Sequence, residues 1–273
     1  MRETIGFIGG GNMARSLAGG LIARGLAPNQ ILISDPVATQ LDTLATQLGV
    51  RTTADNQRVA REANVVILAV KPQDLRSVAA SLAGTLQARR PLVISIAAGI
   101  RGSDIERWLG GIPVVRAMPN RPALQNCGVT GLYAASAVPA ASRSLAAEIL
   151  GAVGVTVWVE EESQMDAVTA VSGSGPAYFF LLVEMLEAAG IELGLAADVS
   201  RRLAIETAYG SGCMARDSVD APADLRKQVT SKGGTTEAAL RHLESHDVRR
   251  LFSQAIAAAA HRSAEMAEQL GKQ

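Results

Sequence analysis

The sequence predicts an α/β protein in which a doubly wound parallel sheet is followed by an all-helical C-terminal domain. Short apolar runs alternate with Ala- and Leu-rich helical segments up to about residue 160. A glycine-rich turn follows the first run, and beyond residue 160 the strand signal disappears while helical patterns continue to the end. We therefore expect a first domain over residues 1–160 and a second over residues 161–273.

Six apolar runs are the predicted strands of the first domain. They cover residues 5–8, 31–34, 65–70, 92–97, 114–117 and 155–159. Each run is apolar at consecutive positions, as expected for strands that helices cover on both faces. Their alternation with helical segments is typical of βαβ units and predicts a parallel sheet.

The first predicted strand leads into Gly9-Gly10-Gly11-Asn12-Met13-Ala14, which fits G-x-G-x-x-A and opens a helical segment. Gly9 permits the tight turn, Gly11 lets backbone approach a pyrophosphate, and the small Ala14 lets helix and strand pack closely. The alternative is a glycine-rich turn without a ligand. The position of the motif directly after a strand favours a Rossmann-type dinucleotide site, with the anion at the helix N-terminus.

Asp35 ends the second predicted strand, roughly twenty residues beyond Ala14. An acid there would hold the adenosine ribose 2′-hydroxyl and repel a 2′-phosphate, which favours NADH over NADPH. Because Pro36 follows, Asp35 is equally well explained as a helix N-cap. Lys71, just before Pro72 at another predicted helix start, is either a solvated charge or a group near the cofactor.

Composition limits the partners of the chain. Its 26 basic residues balance 26 acidic ones and aromatic residues make up 3%, so we expect no nucleic-acid partner. The apolar run at residues 5–8 follows Glu3 and leads into glycines, which excludes the centre of a signal peptide and predicts a cytoplasmic protein. Cys127 and Cys213 lie far apart, which favours structural thiols in a reducing compartment.

The predicted helical domain begins with a helix near Pro176 that is apolar around most of its circumference. Such a helix must be covered on nearly every side, and we expect a second subunit to supply part of the cover. Its most apolar stretch, residues 177–189, contains Glu184 and Glu187 and is too short to span a bilayer, so we expect a buried helix and no membrane partner. Later helix breaks are predicted at residues 190–194, 210–212, 222 and 233–234.

Gly233-Gly234-Thr235-Thr236 precedes a helical run at residues 237–243. Unpaired N–H groups and two hydroxyls at a helix N-terminus form a position suited to a carboxylate. The alternative is that Thr235 or Thr236 simply caps the helix.

Small residues also mark Ser172-Gly173-Ser174-Gly175-Pro176, which predicts either close approach of a ligand or tight packing between helices. His242 and His246 are four residues apart, but Glu244 is misplaced for H-E-x-x-H, and we expect no metal site.

Taken together, these motifs resemble pyrroline-5-carboxylate reductases over nearly the whole chain. The matching segments, in the family's order, are residues 6–14, 69–72, 95–99, 116–120, 166–169, Ser172-Gly173-Ser174-Gly175-Pro176-Ala177-Tyr178 and Val229-Thr230-Ser231-Lys232-Gly233-Gly234-Thr235-Thr236. The last two are the specific ones, because the first is shared by many dinucleotide binders.

The resemblance implies reduction of L-1-pyrroline-5-carboxylate to L-proline by NADPH or NADH, the last step of proline biosynthesis. It implies that the cofactor is bordered by Gly9, Gly10, Gly11, Asn12, Met13, Asn56, Ala69, Val70, Lys71, Pro72, Ile96, Ala97 and Asn120. We add Ser34 and Asp35, at the end of the second predicted strand. The substrate would meet Glu162, Gly234, Thr235 and Thr236, and the Thr236 hydroxyl would bond the imine nitrogen and assist its protonation.

Members of this family are interlocked dimers of the helical domain, often assembled into larger rings, and the resemblance implies the same here. Two departures concern Arg121, where the family usually has threonine, and Lys232, where it usually has proline.

Two other functions remain alternatives at this point. A β-hydroxyacid dehydrogenase combines similar domains but uses a lysine in its interdomain helix, and this chain has no lysine between residues 163 and 223. A redox-sensing regulator would bind NAD(P)H without turnover and would need no carboxylate site at Thr236.

Overall fold

The computed structural model describes residues 3–272, and within these it divides into two compact units. The first extends to Ser174 and includes the chain from Ala259 onward, and the second is Gly175–Ala258. The functional boundary predicted between residues 160 and 161 stays a prediction.

The first unit is built on one eight-stranded sheet. Its strands are β1 Ile5–Ile8, β2 Ile31–Ser34, β3 Arg51–Thr53, β4 Val65–Leu68, β5 Leu92–Ser95, β6 Val114–Pro119, β7 Gly128–Ala134 and β8 Gly154–Trp158. They lie in the order β3-β2-β1-β4-β5-β6-β7-β8, and β7 is antiparallel to β6 while the other pairs are parallel. The predicted doubly wound sheet is confirmed, and its last two strands, β7 and β8, run opposite to β1–β6.

Strands β3 and β7 were not predicted, and their composition explains why. β3 is Arg51-Thr52-Thr53, polar and half-buried, so it lacks the apolar run of a central strand. β7 contains Gly128 and Gly131, which weaken strand propensity. β7 is antiparallel because residues 120–127, which join it to β6, hold only a short 3₁₀ turn, and a parallel crossover needs a longer connection.

Helices cover both faces of this sheet. They are α1 Asn12–Ala23, α2 Ala38–Leu48, α3 Asn56–Glu62, α4 Pro72–Arg89, α5 Gly102–Trp108, α6 Ala140–Leu150 and α7 Gln164–Val168. Because side chains alternate along a strand, Phe7 of β1 joins one buried cluster with Leu17, and Ile8 joins the opposite cluster with Leu75. Full burial of each such side chain contributes roughly 1.5 to 3 kcal/mol of hydrophobic free energy.

The second unit is helical, as predicted. Its helices are α8 Gly175–Glu192, α9 Ala197–Asp217, α10 Pro222–Gln228, α11 Thr235–Ser245 and the first part of α12 Val248–Lys272. The break predicted at residues 210–212 is wrong, because α9 passes through both glycines without interruption. A glycine inside a helix lowers stability by about 1 kcal/mol relative to alanine, which the rest of a long helix can offset.

Helix α8 is largely exposed within one chain, and the cover predicted from a second subunit lies outside the single chain. Phe179 is 67% exposed and Leu182 46% exposed, and Gly175 is the buried residue of the helix. By length and composition alone the continuous stretch Gln164–Glu192 could also cross a bilayer. Its apolar surface needs a cover that the single chain does not provide.

Candidate functional site

The predicted cofactor residues follow the carboxyl ends of parallel strands. Gly9 follows β1, Asp35 follows β2, Ala69 follows β4, Ile96 follows β5 and Asn120 follows β6. Because these strands are parallel, their carboxyl ends meet at one edge of the sheet. The chain reverses its winding direction between β1 and β4, and ligands of doubly wound sheets bind outside such a point.

The first glycine turn is tightly enclosed on one side. Gly9 has φ +102°, and its N–H donates to the carbonyl of Ser34 at 2.8 Å. A Cβ at Gly9 would lie 2.6 Å from the carbonyl oxygen of Ala69. The turn therefore requires glycine here both for its backbone conformation and for the close approach of β4.

The same turn is open on its other side. Gly11 is the N-cap of α1, and a Cβ placed there would meet no atom within 4 Å. Helix α1 has no side-chain cap and no acid in its first turn, so neither feature occupies its unpaired N–H groups. Ala14 is fully buried, as the close packing of helix and strand requires. This arrangement fits a dinucleotide pyrophosphate.

Asp35 is held against this turn by two backbone amides. Its Oδ2 accepts from the N–H of Gly10 at 2.8 Å, and its Oδ1 accepts from the N–H of Val37 at 2.9 Å. The side chain of Gln40 donates to the carbonyl of Gly10 at 2.6 Å and strengthens the connection. The interpretation of Asp35 as the N-cap of α2 is wrong, because α2 begins at Ala38 and its N-cap is Val37.

Two of the predicted cofactor residues use their side chains in hydrogen bonds within the protein. Ser34 is fully buried, and its hydroxyl donates to the carbonyl of Phe7 at 3.2 Å. Asn120 is 8% exposed, and its amide donates to the carbonyl of Ser172 and accepts from the N–H of Val129. The structure therefore places the backbones of these two residues at the carboxyl edge of the sheet, while their side chains bond within the protein.

The remaining predicted cofactor residues lie along the edge, and all of them except Ala97 are half-buried or exposed. Asn56 is the first residue of α3, and Lys71 is the N-cap of α4, which begins at Pro72 as predicted. Lys71 is exposed, whereas Ala97 is buried. The rest are Asn12, Met13, Ala69, Val70 and Ile96.

In the second unit, the predicted substrate loop stands at the start of α11. Gly233 has φ +72°, and its N–H donates to the carboxylate of Glu237 at 2.7 Å. Gly234 is the N-cap, so Thr235 and Thr236 are the first two residues of the helix and neither is its cap. The N–H of Ala238 donates to the carbonyl of Gly234, so the N–H groups of Thr235, Thr236 and Glu237 have no acceptor within the helix.

The segment before α8 is a π-helical turn, Thr169–Gly173, in which the N–H of Ser174 donates to the carbonyl of Thr169 at 2.8 Å. A Cβ at Gly173 would lie 2.6 Å from Cε of Met118, which supports the tight-packing interpretation for this glycine. Turns of this kind are frequent at functional sites.

Glu162, the other predicted substrate residue, lies in the first unit and is paired with Arg116, with 3.1 Å between Oε1 and Nη1. Sequence reasoning gave Arg116 no role. The available signal was a charged residue inside the apolar run of β6, because a charged side chain within a buried strand must have a partner.

The two histidines of α11 and its C-cap are exposed, with His242 and His246 ring centroids 4.4 Å apart. Between residues 3 and 272, no three His, Cys, Asp or Glu side chains form a group that could hold a metal ion.

Comparison with known proteins gives consistent matches along the chain. The family model described as "Pyrroline-5-carboxylate reductase dimerisation" matches residues 162–266, and "NADP oxidoreductase coenzyme F420-dependent" matches residues 4–99. The pyrroline-5-carboxylate reductase of Pseudomonas aeruginosa is 48% identical over 269 residues, which cover 98% of each protein.

Solved structures also match this chain over nearly its whole length. A pyrroline-5-carboxylate reductase from Coxiella burnetii has a TM-score of 0.94 and 43% identity, over 97% of this chain and 99% of that one. The Plasmodium falciparum pyrroline carboxylate reductase with NADP bound has a TM-score of 0.84 and 27% identity, over 97% and 98%. A Mycobacterium tuberculosis 3-hydroxyisobutyrate dehydrogenase, at 16% identity and a TM-score of 0.54, shares the fold alone.

Proposed function

The chain belongs to the pyrroline-5-carboxylate reductase family, and from this premise we propose that it reduces L-1-pyrroline-5-carboxylate to L-proline with NAD(P)H, the last step of proline biosynthesis. The observation that carries the proposal is the 48% identity to a curated reductase over 98% of both proteins. The open glycine turn at Gly11 supports the cofactor half of the reaction.

The cofactor would bind at the carboxyl edge of the sheet. NAD(P)H, when bound, supplies the hydride for the C=N carbon. The N–H groups at the start of α1 would hold its pyrophosphate, and Asp35 would stand near its adenosine ribose. Asn56, residues 69–72, Ile96 and Ala97 would border the rest of the cofactor.

The substrate would bind at the start of α11. The free N–H groups at Thr235 and Thr236 would bind the carboxylate of the pyrroline, aided by the positive end of the helix dipole. The Thr236 hydroxyl would bond the imine nitrogen and assist its protonation as the hydride arrives. Hydride addition to a protonated imine needs no covalent intermediate with the enzyme, so positioning of the two reactants is the main contribution of the chain.

The chain contains a dimerisation domain, and the match to it includes all of α8. We propose that a second copy of the chain covers the exposed apolar residues of α8, and that such dimers can assemble further into rings. On this proposal the helix is an interface between two copies of the chain and not a membrane span, and we propose that the protein is soluble and cytoplasmic.

A turnover assay tests this function. Purified protein supplied with pyrroline-5-carboxylate is expected to oxidise NADH or NADPH and to form proline in equal amount. A regulator that only senses the redox state would bind the nucleotide and show no oxidation, and that result would reject the proposal.

We predict that NADH serves at least comparably to NADPH, because the carboxylate of Asp35, which two backbone amides hold after β2, would repel a 2′-phosphate bound beside it. No Lys or Arg occurs at residues 36–40. In α3, Arg58 pairs with Glu62, and its hydrogen bond lowers the pKa of that carboxyl group. The measurement is kcat/KM for each cofactor. A preference for NADPH of roughly a hundredfold would contradict the assignment of Asp35 to the ribose.

A charge-removing variant sharpens this prediction. Asp35→Asn keeps an acceptor for the N–H of Gly10 but removes the repulsion, so kcat/KM with NADPH should rise about tenfold relative to NADH. Asp42→Asn, an exposed position of α2, removes the same charge as a control and should leave the ratio unchanged.

A further inference from the structure

The carboxylate of Glu162 joins three elements of the first unit. Its Oε1 accepts a hydrogen bond from the N–H of Gly102 and lies 3.1 Å from Nη1 of Arg116. Glu162 lies between β8 and α7, Gly102 is the first residue of α5, and Arg116 is in β6. One side chain therefore connects the start of α5, strand β6 and the segment that leads into α7.

The carboxylate of Glu162 forms an ion pair with Arg116. The Arg116 side chain is 4% exposed and that of Glu162 is 22% exposed. A guanidinium stays charged at physiological pH, and removing the partner of a buried charge is strongly destabilising. The pair also lines a cavity of about 420 Å³ with Ser163 and Asp166, which keeps it among polar neighbours.

The bond to Gly102 acts as a helix cap supplied from a distant part of the chain. Arg101, the N-cap of α5, makes no side-chain cap hydrogen bond. A carboxylate bonded to an N–H at a helix start is favourable because it satisfies an unpaired donor and meets the positive end of the helix dipole. Glu162 thus fixes the position at which α5 begins.

Residues 96–101 form the loop between β5 and α5, and both ends of this loop are held. At its start the N–H of Ile96 donates to the carbonyl of Leu68 at 3.1 Å. Glu162 holds its far end through Gly102. In the middle, Gly99 has φ +66°, and a Cβ there would lie 3.2 Å from Cβ of Met266, so the loop has little room to move in that direction.

We propose that Glu162 is a positioning residue: with Arg116 it fixes the loop at residues 96–101, and it influences hydride transfer through this loop and not as a ligand of the substrate. The inference rests on the proposed function, because Ile96 and Ala97 of the loop are proposed to border the cofactor. It replaces the substrate contact that family resemblance implied for Glu162, and the two roles predict different kinetics.

Four variants separate these roles. Glu162→Gln keeps a carbonyl oxygen for Gly102 but removes the charge that pairs with Arg116. Glu162→Asp keeps the charge on a shorter side chain, and Arg116→Met removes the other partner. Glu161→Gln makes the same chemical change as the first variant at an exposed neighbouring position and is the matched control.

The positioning role predicts a kcat lowered by about tenfold or more in Glu162→Gln and Arg116→Met, because small misplacement of reacting groups slows the chemical step. KM for pyrroline-5-carboxylate should stay within about twofold of wild type. Amide hydrogen exchange of residues 96–102, measured without any ligand, should become faster in both variants. Glu162→Asp should recover part of kcat, and Glu161→Gln should match wild type.

The opposite pattern overturns the proposal. A substrate ligand would show a raised KM for the imine in Glu162→Gln, with unchanged exchange of residues 96–102 and no matching effect in Arg116→Met. Unchanged exchange at Gly102 in every variant would also overturn it. If wild-type protein reduced no imine, the proposed function would fail, while the exchange measurement would still decide whether Glu162 holds the loop. If Glu162→Gln did not fold, exchange in Glu162→Asp would decide the question.

Discussion

Replacing Leu182 by glutamate is expected to separate the protein into inactive single chains. Leu182 is 46% exposed within one chain, in a helix most of whose other large apolar residues are also exposed, and the dimerisation match includes it. In a symmetric dimer the new carboxylate would be buried twice without a partner, at a cost of several kcal/mol per ion. Sedimentation should show the dissociation constant of the dimer raised by more than about a hundredfold.

The matched control places the same charge elsewhere. Gln47→Glu adds a carboxylate to an exposed position of α2 in the first unit and should leave both assembly and activity unchanged. A wild-type protein that sediments as a stable and active single chain would contradict the dimer, as would a Leu182→Glu protein that assembles normally.

Replacing Thr236 by valine is expected to lower kcat/KM for pyrroline-5-carboxylate by roughly ten- to a hundredfold. Valine keeps the shape of the side chain and removes the hydroxyl that would bond the imine nitrogen. Losing a hydrogen bond to a charged or charge-developing group weakens transition-state binding by about 1.5 to 3 kcal/mol. Direct titration should show the affinity for NAD(P)H nearly unchanged.

The structure removes one complication of this test. Gly234 is the N-cap of α11, so Thr236→Val deletes no helix cap and the melting temperature should stay close to that of wild type. Thr43→Val is the control, since Thr43 also has a helical hydroxyl, which donates to the carbonyl of Thr39. If Thr236→Val folds normally and keeps the wild-type kcat/KM, the substrate position has been assigned to the wrong loop.

The cofactor end of the fold could be predicted from the sequence because its signals are local. Strands β1, β2, β4 and β5 are covered on both faces, and their burial requires continuous apolar runs that stand out in the sequence. The glycine turn after β1 shows the G-x-G-x-x-A spacing within six consecutive residues. The resemblance to pyrroline-5-carboxylate reductases, read from such short motifs, is confirmed by matches along the full chain.

Other features depend on contacts between distant residues and could not be predicted in this way. Glu162 is 46 residues from Arg116 and 60 from Gly102, so neither bond leaves a periodic pattern in the sequence. One of the two interpretations of Asp35 had a helix begin at Pro36, but Asp35 bonds to Gly10 and Val37, and α2 starts only at Ala38. Here a tertiary hydrogen bond overrides a local helix-start signal.

The most direct test of the central claim follows the transferred hydride itself. Wild-type protein is incubated with pyrroline-5-carboxylate and with NADH or NADPH that carries deuterium at the transferable position of the nicotinamide, and the product is analysed by mass spectrometry and NMR. Transfer to the C=N bond predicts proline with one deuterium on the former imine carbon. Proline without deuterium at that carbon, or oxidation of the cofactor without proline, would contradict it.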